Sequence, residues 1–332
     1  MLLIRPFNRV EEEYIWVVDL FNTVWPDKQE TVEEWKHFEK ARKPGLLYRE
    51  AVAELNGKRV GHVIYMEPWW SQEKGTIFFD IMVHPDHQKK GIGKAIFDHV
   101  LDDIKDFDLK ALTTKSREDQ ANALTFVKKL GFEQTMRMPR SFLNLETFDA
   151  SRFASIYDEM ASHNIQIFTM AELKETDPQW KEKLYELRWQ IIKDVPSPEP
   201  REKPTFEEFE KFSLGQPKLE PKCNFIATDG DEYVGFSNLW PGENPDKIDT
   251  GLTGVVRNHR RKGICMALKL RGFEFAKAYG AKFIETENEE NNPMYQINLR
   301  FGFEPQPAWL DFRKAVQPKV TETETEKEGI AQ

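Results

Sequence analysis

Cysteine is nearly missing: Cys223 and Cys265 are the only two in 332 residues, which excludes a disulfide framework. No apolar run approaches the ~20 residues that a membrane-spanning helix needs. The opening Met1-Leu2-Leu3-Ile4-Arg5 is too short to be a secretory leader, so a cytoplasmic protein without a membrane partner is expected. Positive charge is also short: 47 Lys and Arg against 56 Asp and Glu give a formal net charge of −9. General nucleic-acid binding needs a basic face that displaces counterions, and none is expected here. The acidic balance leaves room for a cationic substrate, although such a balance is common in cytosolic proteins. Histidine is sparse, and His84, His87 and His259 have no further ligand cluster beside them, so no metal is expected.

What the sequence does have is one organising stretch. Thr76 to Val83 is rich in β-branched and aromatic residues and reads as a strand. Ala95 to Leu101 has apolar residues at helical spacing. Between them lies Val83-His84-Pro85-Asp86-His87-Gln88-Lys89-Lys90-Gly91-Ile92-Gly93-Lys94. A strand that turns through glycines into a helix leaves N–H groups without intrahelical partners, at the positive end of the helix dipole. That is an anion site. Gly91 and Gly93 let a phosphate come close to the backbone, and Gln88, Lys89, Lys90 and Lys94 add donors and charge. A P-loop is excluded, because Gln88 stands where its first glycine belongs and Ala95 where Ser or Thr would meet magnesium.

The stretch occurs twice. Val255 to Ala267 repeats it as Val255-Val256-Arg257-Asn258-His259-Arg260-Arg261-Lys262-Gly263-Ile264-Cys265-Met266-Ala267, with Arg260 falling 172 positions after Gln88. Gly131-Phe132 recurs as Gly302-Phe303, Val60-Gly61 as Val234-Gly235, and Thr31-Val32-Glu33-Glu34-Trp35 as Thr205-Phe206-Glu207-Glu208-Phe209, all at nearly the same offset. The chain reads as two copies of one domain: 1–148, a linker helix over 149–164, 165–316, and an acidic disordered tail over 317–332.

Within the first copy a strand is expected over Leu2 to Phe7 and a helix over Glu11 to Val24. A second helix is capped by Thr31 with Glu34, and a hairpin turns at Asn56-Gly57. A strand is expected from Lys110 to Thr114, a helix from Asp119 to Leu130, and a last strand over Ser141 to Leu145. Trp69-Trp70 could line an acceptor pocket or cap the core. The second copy is expected to hairpin at Asp229-Gly230-Asp231 and to close with Trp309 to Lys314. Both cores are long enough to bury themselves.

Each loop has the form [Q/R]-x-x-G-x-[G/A] or close to it, follows a strand, and precedes a helix ending in Gly-Phe. This resembles the GNAT acetyltransferase superfamily, twice over. The second copy's Thr286-x-Asn288-x-x-Asn291-x-x-Met294-x-x-Ile297-Asn298-x-x-Phe301-Gly302-Phe303 is similar to the C-terminal half of the tandem GNAT enzymes typified by mycothiol synthase. The resemblance implies an α/β fold of two tandem domains, each a central mixed sheet flanked by helices. It implies acetyl-CoA as co-substrate and direct attack by a small-molecule or peptide amine on the thioester, without a metal. Val83, Gln88, Lys89, Lys90, Gly91, Ile92, Gly93 and Lys94 would hold CoA in one half. Val255, Arg260, Arg261, Lys262, Gly263, Ile264, Cys265 and Met266 would do so in the other, with Asn291 as the family's CoA-contacting asparagine.

The chain departs from the family at the tyrosine that reprotonates the thiolate. Asn298 stands there in the second copy and Val127 in the first. An amide cannot supply a proton, so Tyr295, three residues before Asn298 and on the same helix face, is the substitute acid. Glu285 and Glu287, which alternate onto one side of their strand, are candidate bases in the second copy; Asp80 is the candidate in the first. The expectation is an N-acetyltransferase whose second half, with the fuller helix motif, is catalytic. The alternatives are an active first half with Asp80 as base, and a CoA-binding regulator in which neither half turns over. The acceptor and the oligomeric state are not legible.

Overall fold

A computed structural model describes residues 1–71, 73–197, 201–242 and 244–316. The first repeat runs β1 (Leu2–Pro6), α1 (Glu11–Val24), α2 (Val32–Ala41), β2 (Tyr48–Leu55), β3 (Lys58–Met66), β4 (Thr76–Val83), α3 (Ile92–Asp103), β5 (Ala111–Arg117), α4 (Ala121–Lys129) and β6 (Glu133–Asn144). After α5 (Ser155–Ser162), the second runs β7 (Ile165–Thr169), α6 (Met170–Thr176), α7 (Trp180–Ile192), α8 (Phe206–Phe209), β8 (Asn224–Asp229), β9 (Glu232–Pro241), β10 (Lys247–Val255), α9 (Ile264–Tyr279), β11 (Phe283–Glu287), α10 (Pro293–Phe301) and β12 (Glu304–Ala315). Local chemistry sets the element ends. Thr31 and Thr205 each accept from the N–H of the glutamate three residues on, and each glutamate answers to the threonine backbone. Asn56 and Gly57 both adopt positive φ, as the tightest hairpin turn demands. The expected acidic tail lies outside the described residues.

Among the described residues, twelve strands form one mixed sheet in the order β1-β2-β3-β4-β5-β12-β6-β11-β10-β9-β8-β7. Only β4–β5 and β10–β11 are parallel. The repeats exchange their last strands. β12 pairs with β5 along Trp309 to Ala315, while β6 pairs with β11 from Arg140 to Asn144, and the two exchanged strands pair with each other at the centre. The sheet therefore does not divide at 148/165.

The cores follow the exchange. Ala308, Leu310 and Phe312 of β12 pack with Ile77, Phe79, Phe97 and Phe132 of the first repeat. Leu143, the next residue but one Leu145, and Ile284 pack in the second. β6 begins at Glu133, eight residues before the strand expected at Ser141. Its early part is polar and contains Pro139, which has no N–H for a ladder. The strand accommodates it with a register shift, Arg140 facing Gln306 and Met138 facing Trp309.

Strand alternation puts Ile77, Phe79, Ile81 and Val83 of β4 against α3 and α4. Met82 turns the other way, into a cluster with Tyr14, Val17 and Val18 of α1 and Trp35 of α2.

Candidate active site

Two places in the sheet are splayed. β4 pairs with β5 only from Thr76 to Phe78, although β4 goes on pairing with β3 as far as Val83. β10 pairs with β11 only from Lys247 to Asp249. Beyond those points each strand keeps unpaired peptide groups along one edge, and each leads into a glycine loop.

In the first loop the Gln88 side chain donates to the Val83 carbonyl at 3.1 Å and accepts from Asn122 at 3.0 Å, tying the strand end to α4. Lys89 (φ 58°) and Gly91 (φ 82°) take left-handed conformations that turn the backbone outward into α3. Among the described residues no backbone acceptor is met by the N–H groups of Lys89, Lys90, Gly91, Ile92, Gly93 or Lys94. Nothing stands within 4 Å of a Cβ built on Gly91, and one on Gly93 would reach Phe126 at 3.7 Å and Val83 at 4.0 Å. Lys90 caps the Asp86 carbonyl and Lys94 pairs with Asp98.

The second loop has the same backbone, with Arg260 donating to the Val255 carbonyl at 3.0 Å and left-handed Arg261 and Gly263. Its surroundings differ. Helix α5 lies over it, so that a Cβ on Gly263 would stand 3.4 Å from the Glu159 carboxylate and 3.5 Å from the Ile156 carbonyl. Asp194 holds Arg257 through both oxygens, at 2.6 and 2.9 Å, and Arg260 at 2.5 Å. Hydrogen bonds from Arg257, opposed by burial, draw the Asp194 carboxyl down to about 2. Cys265 faces the Met294 sulfur at 3.6 Å. Burial pushes its thiol up to about 11, so it is a packing residue and not a ready nucleophile.

A cavity of about 700 Å³ opens beside the first splay, on the α1–α2 side. Trp25, Trp35, Trp69, Trp70 and Trp309 wall it, and Val195 to Ser197, Phe212, Asn288 and Asn292 of the second repeat complete it. Trp69 and Trp70 thus line a pocket; Trp69 stacks on Phe212 with centroids 4.9 Å apart. Asp80 and Lys115 both face this cavity, and extending the β4–β5 register past Phe78 and Thr113 sets them opposite one another where pairing stops. Asp80 is half-buried and burial raises its pKa, with Lys115 and His62 opposing. Burial, with Glu34 nearby, lifts Glu30 to about 7.

The second repeat's candidates are engaged elsewhere. Glu285 is buried between Arg140 and Lys247, the latter at 2.7 Å. Asp27 bridges Arg140 and Arg117 at 2.7 and 2.6 Å. This lattice pins the sheet centre and commits both Glu285 carboxylate oxygens to cations. Glu287 does line the cavity, but it pairs with Lys28 at 2.5 Å. Burial opposes ionisation there and the Lys28 ammonium outweighs it, holding the carboxyl below its usual range. Asn298 is fully buried, its amide donating to Asn288 at 2.5 Å. Asn291 is exposed and bonded to Glu289 on its own turn, at 2.8 Å. Tyr295 is half-buried on α10.

Sequence reasoning missed Glu30, Lys115 and the tryptophans from outside the Trp69-Trp70 pair. A signal existed for Lys115: Thr113-Thr114-Lys115-Ser116-Arg117 is too polar for an interior strand with both faces packed. Among the described residues, no group of three or more His, Cys, Asp or Glu is placed to hold a metal, and no helix is long and apolar enough to cross a membrane.

A splayed parallel pair leading into a glycine turn and a helix, present twice, is the architecture of an acyltransferase that takes its donor from CoA. The pattern of the acetyltransferase (GNAT) family matches residues 10–132 and again 181–303, and the chain belongs to that family. Over 95 residues it is 28% identical to the L-amino acid N-acyltransferase MnaT of Escherichia coli (strain K12), covering 28% of this chain and 55% of that one, little more than half its length. It is 35% identical over 104 residues to the [Ribosomal protein bS18]-alanine N-acetyltransferase of the same strain, covering 31% of this chain and 68% of that one. A tandem GNAT protein from the clavulanic acid biosynthesis pathway superposes with a TM-score of 0.74 at 18% identity, covering 96% of this chain and 99% of its own. A GCN5-related N-acetyltransferase from Sphaerobacter thermophilus gives 0.66 at 15%, with 96% of each covered. The tandem fold is shared; these structural identities speak to fold alone.

Proposed function

We propose that the protein is an acetyl-CoA-dependent N-acetyltransferase acting on a primary amine, and that the first repeat, not the second, holds the donor and does the chemistry. One contrast carries this reading: the first loop's N–H array is open, whereas α5 lies over the second and sets the Glu159 carboxylate against it. A carboxylate already standing at an anion site repels a pyrophosphate.

The first loop suits the donor. The N–H groups from Lys89 to Lys94 would take the phosphates, and the unpaired edge of β4 from Phe79 to Val83 would hold the extended arm. Bound acetyl-CoA supplies an activated thioester. Asp80 faces the cavity from which an amine would approach, and its raised pKa suits it to accept the ammonium proton. Val127 offers no acid to the leaving thiolate. A thiol's pKa is about 8.5, so near neutral pH solvent can return that proton.

Calorimetric titration with CoA, paired with thiol release from acetyl-CoA, tests the assignment. Gly93→Glu puts a carboxylate into the first array and is expected to abolish binding and turnover. Cys265→Glu, its counterpart in the second, is expected to leave both. The reverse result moves the site to the second repeat. Absence of CoA binding at millimolar concentration removes the acetyltransferase reading. Binding without thiol release across a panel of amines favours a CoA-binding regulator, for which the lack of a tyrosine at both Val127 and Asn298 speaks.

A further inference from the structure

The cavity beside Asp80 holds a second carboxyl that neither the fold nor the proposed chemistry uses. Glu30 lies between α1 and α2, and its backbone is clamped on both sides: its N–H donates to the Asn22 side chain at 2.9 Å, and its carbonyl accepts from the same amide at 3.1 Å. The clamp sets the residue at the wall of the cavity. Among the described residues its carboxylate has no hydrogen bond or ion pair. Lys218, whose ammonium favours the Glu30 charge, is committed to Glu34 at 2.7 Å, and Glu34 in turn completes the Thr31 cap.

Most of the other charges facing the cavity have partners. Lys28 is matched by Glu287. Lys115 stands across the splay from Asp80 and over the Trp309 ring at 5.3 Å. Arg42 stacks on Tyr48 at 4.5 Å, Arg313 is held by Glu73 at 2.8 Å, Glu289 accepts from Asn291 at 2.8 Å, and Arg201 is an exposed cation at the cavity wall. That leaves Glu30 as a half-buried carboxyl among tryptophan rings. Such a group is costly alone and well suited to an ammonium, which gains from both the carboxylate and the ring faces.

We propose that Glu30 is a specificity-determining residue which receives a second basic nitrogen, so that the acceptor is a diamine-type cation whose two nitrogens are joined by an apolar stem. This rests on the first repeat being the acetylating half. One nitrogen loses its proton to Asp80 and attacks. The N–C bond forms as the C–S bond breaks, the new amide nitrogen gives its second proton to solvent, and the leaving thiolate takes one from solvent to become the thiol. The other nitrogen stays charged against Glu30 while the stem lies along the tryptophans. The burial that lifts Glu30 to about 7 means that the site ionises fully when the cation enters.

The test compares 1,5-diaminopentane with n-hexylamine, a monoamine of similar length, in wild type and in Glu30→Gln. In wild type the diamine is expected to exceed the monoamine in kcat/KM by at least about tenfold, the size of one charge-assisted contact. Glu30→Gln should bring that ratio to about one, through KM for the diamine and not kcat, with Glu30→Asp restoring part of it. Equal kcat/KM for the two amines in wild type overturns the proposal, and so does a Glu30→Gln variant that loses both equally. Should neither amine be acetylated, tryptophan fluorescence titrated with 1,5-diaminopentane decides. Quenching that Glu30→Gln weakens several-fold supports the proposal; no binding, or equal binding, overturns it. Failure of the underlying reading shows separately, as loss of CoA binding in the calorimeter.

Discussion

Asp80 faces a tryptophan-walled cavity, and burial makes its charge expensive there. Activity and stability therefore pull against each other at this residue. Asp80→Asn keeps the shape and removes the charge. It is expected to lower kcat/KM by on the order of 10²-fold or more, and to erase the rise in kcat/KM with pH that accompanies ionisation of the wild-type carboxyl beside Lys115 and His62. Stability should move the other way. The folded-state pKa lies above the unfolded value of about 3.9, so ionisation costs nothing below that pH. As pH rises through the folded value, stability is progressively lost. The variant should melt above wild type at pH 7 and together with it at pH 3. A variant as active as wild type, or one that melts lower at pH 7, would remove Asp80 from the mechanism. The sequence offered Asp80 as one acid among several. Its position three residues before Val83 was legible. That Glu285 would be spent on Arg140 and Lys247 was not, because an ion lattice joining β6, β10 and β11 depends on strand neighbours far apart in the chain.

Among the elements, the two strand–loop–helix units show how much a local pattern determines. The glycine turns from strand into helix and the Thr31 cap with Glu34 were readable, since each depends on residues within a few positions; the side chains of Gln88 and Arg260 returning to the strand carbonyls were not read. What distinguishes the units was not readable, because it comes from elsewhere: α5 from the connection between repeats, and Asp194 from the end of α7. Asp194→Asn tests the second of these. The Asp194 carboxyl sits at about 2 in the folded protein, below its unfolded value of about 3.9. Its contribution is thus present above pH 4 and is lost as pH falls through 2. At pH 7 the variant should melt below wild type in thermal scans, with the gap closing as the buffer approaches pH 2. A gap independent of pH would mean that Arg257 and Arg260 contribute nothing through that carboxylate.

The strand exchange belongs to the molecule as a whole, and it was the least legible feature. β6 and β12 both read as closing strands, and nothing in their alternation says which half each closes. A fragment ending at 148 keeps β5 but lacks β11 and β12, leaving β5 with an open edge and β6 without a partner, and losing the burial of Leu310 and Phe312, worth about 1.5–3 kcal/mol each. Such a fragment is expected to be unfolded by circular dichroism or to self-associate in size-exclusion chromatography; a stable monomer would show that β6 can fold back into its own half. There is a further consequence for how the protein is made. A ribosome delivers the first repeat long before β12. At roughly 5–20 residues per second, the nascent chain waits on the order of ten seconds or more with an unpaired β5 and a β6 that has no neighbour. Such edges recruit other strands. The first repeat's sheet closes in the observed arrangement only once β12 threads back into it, so the two halves complete their folding together and not one after the other.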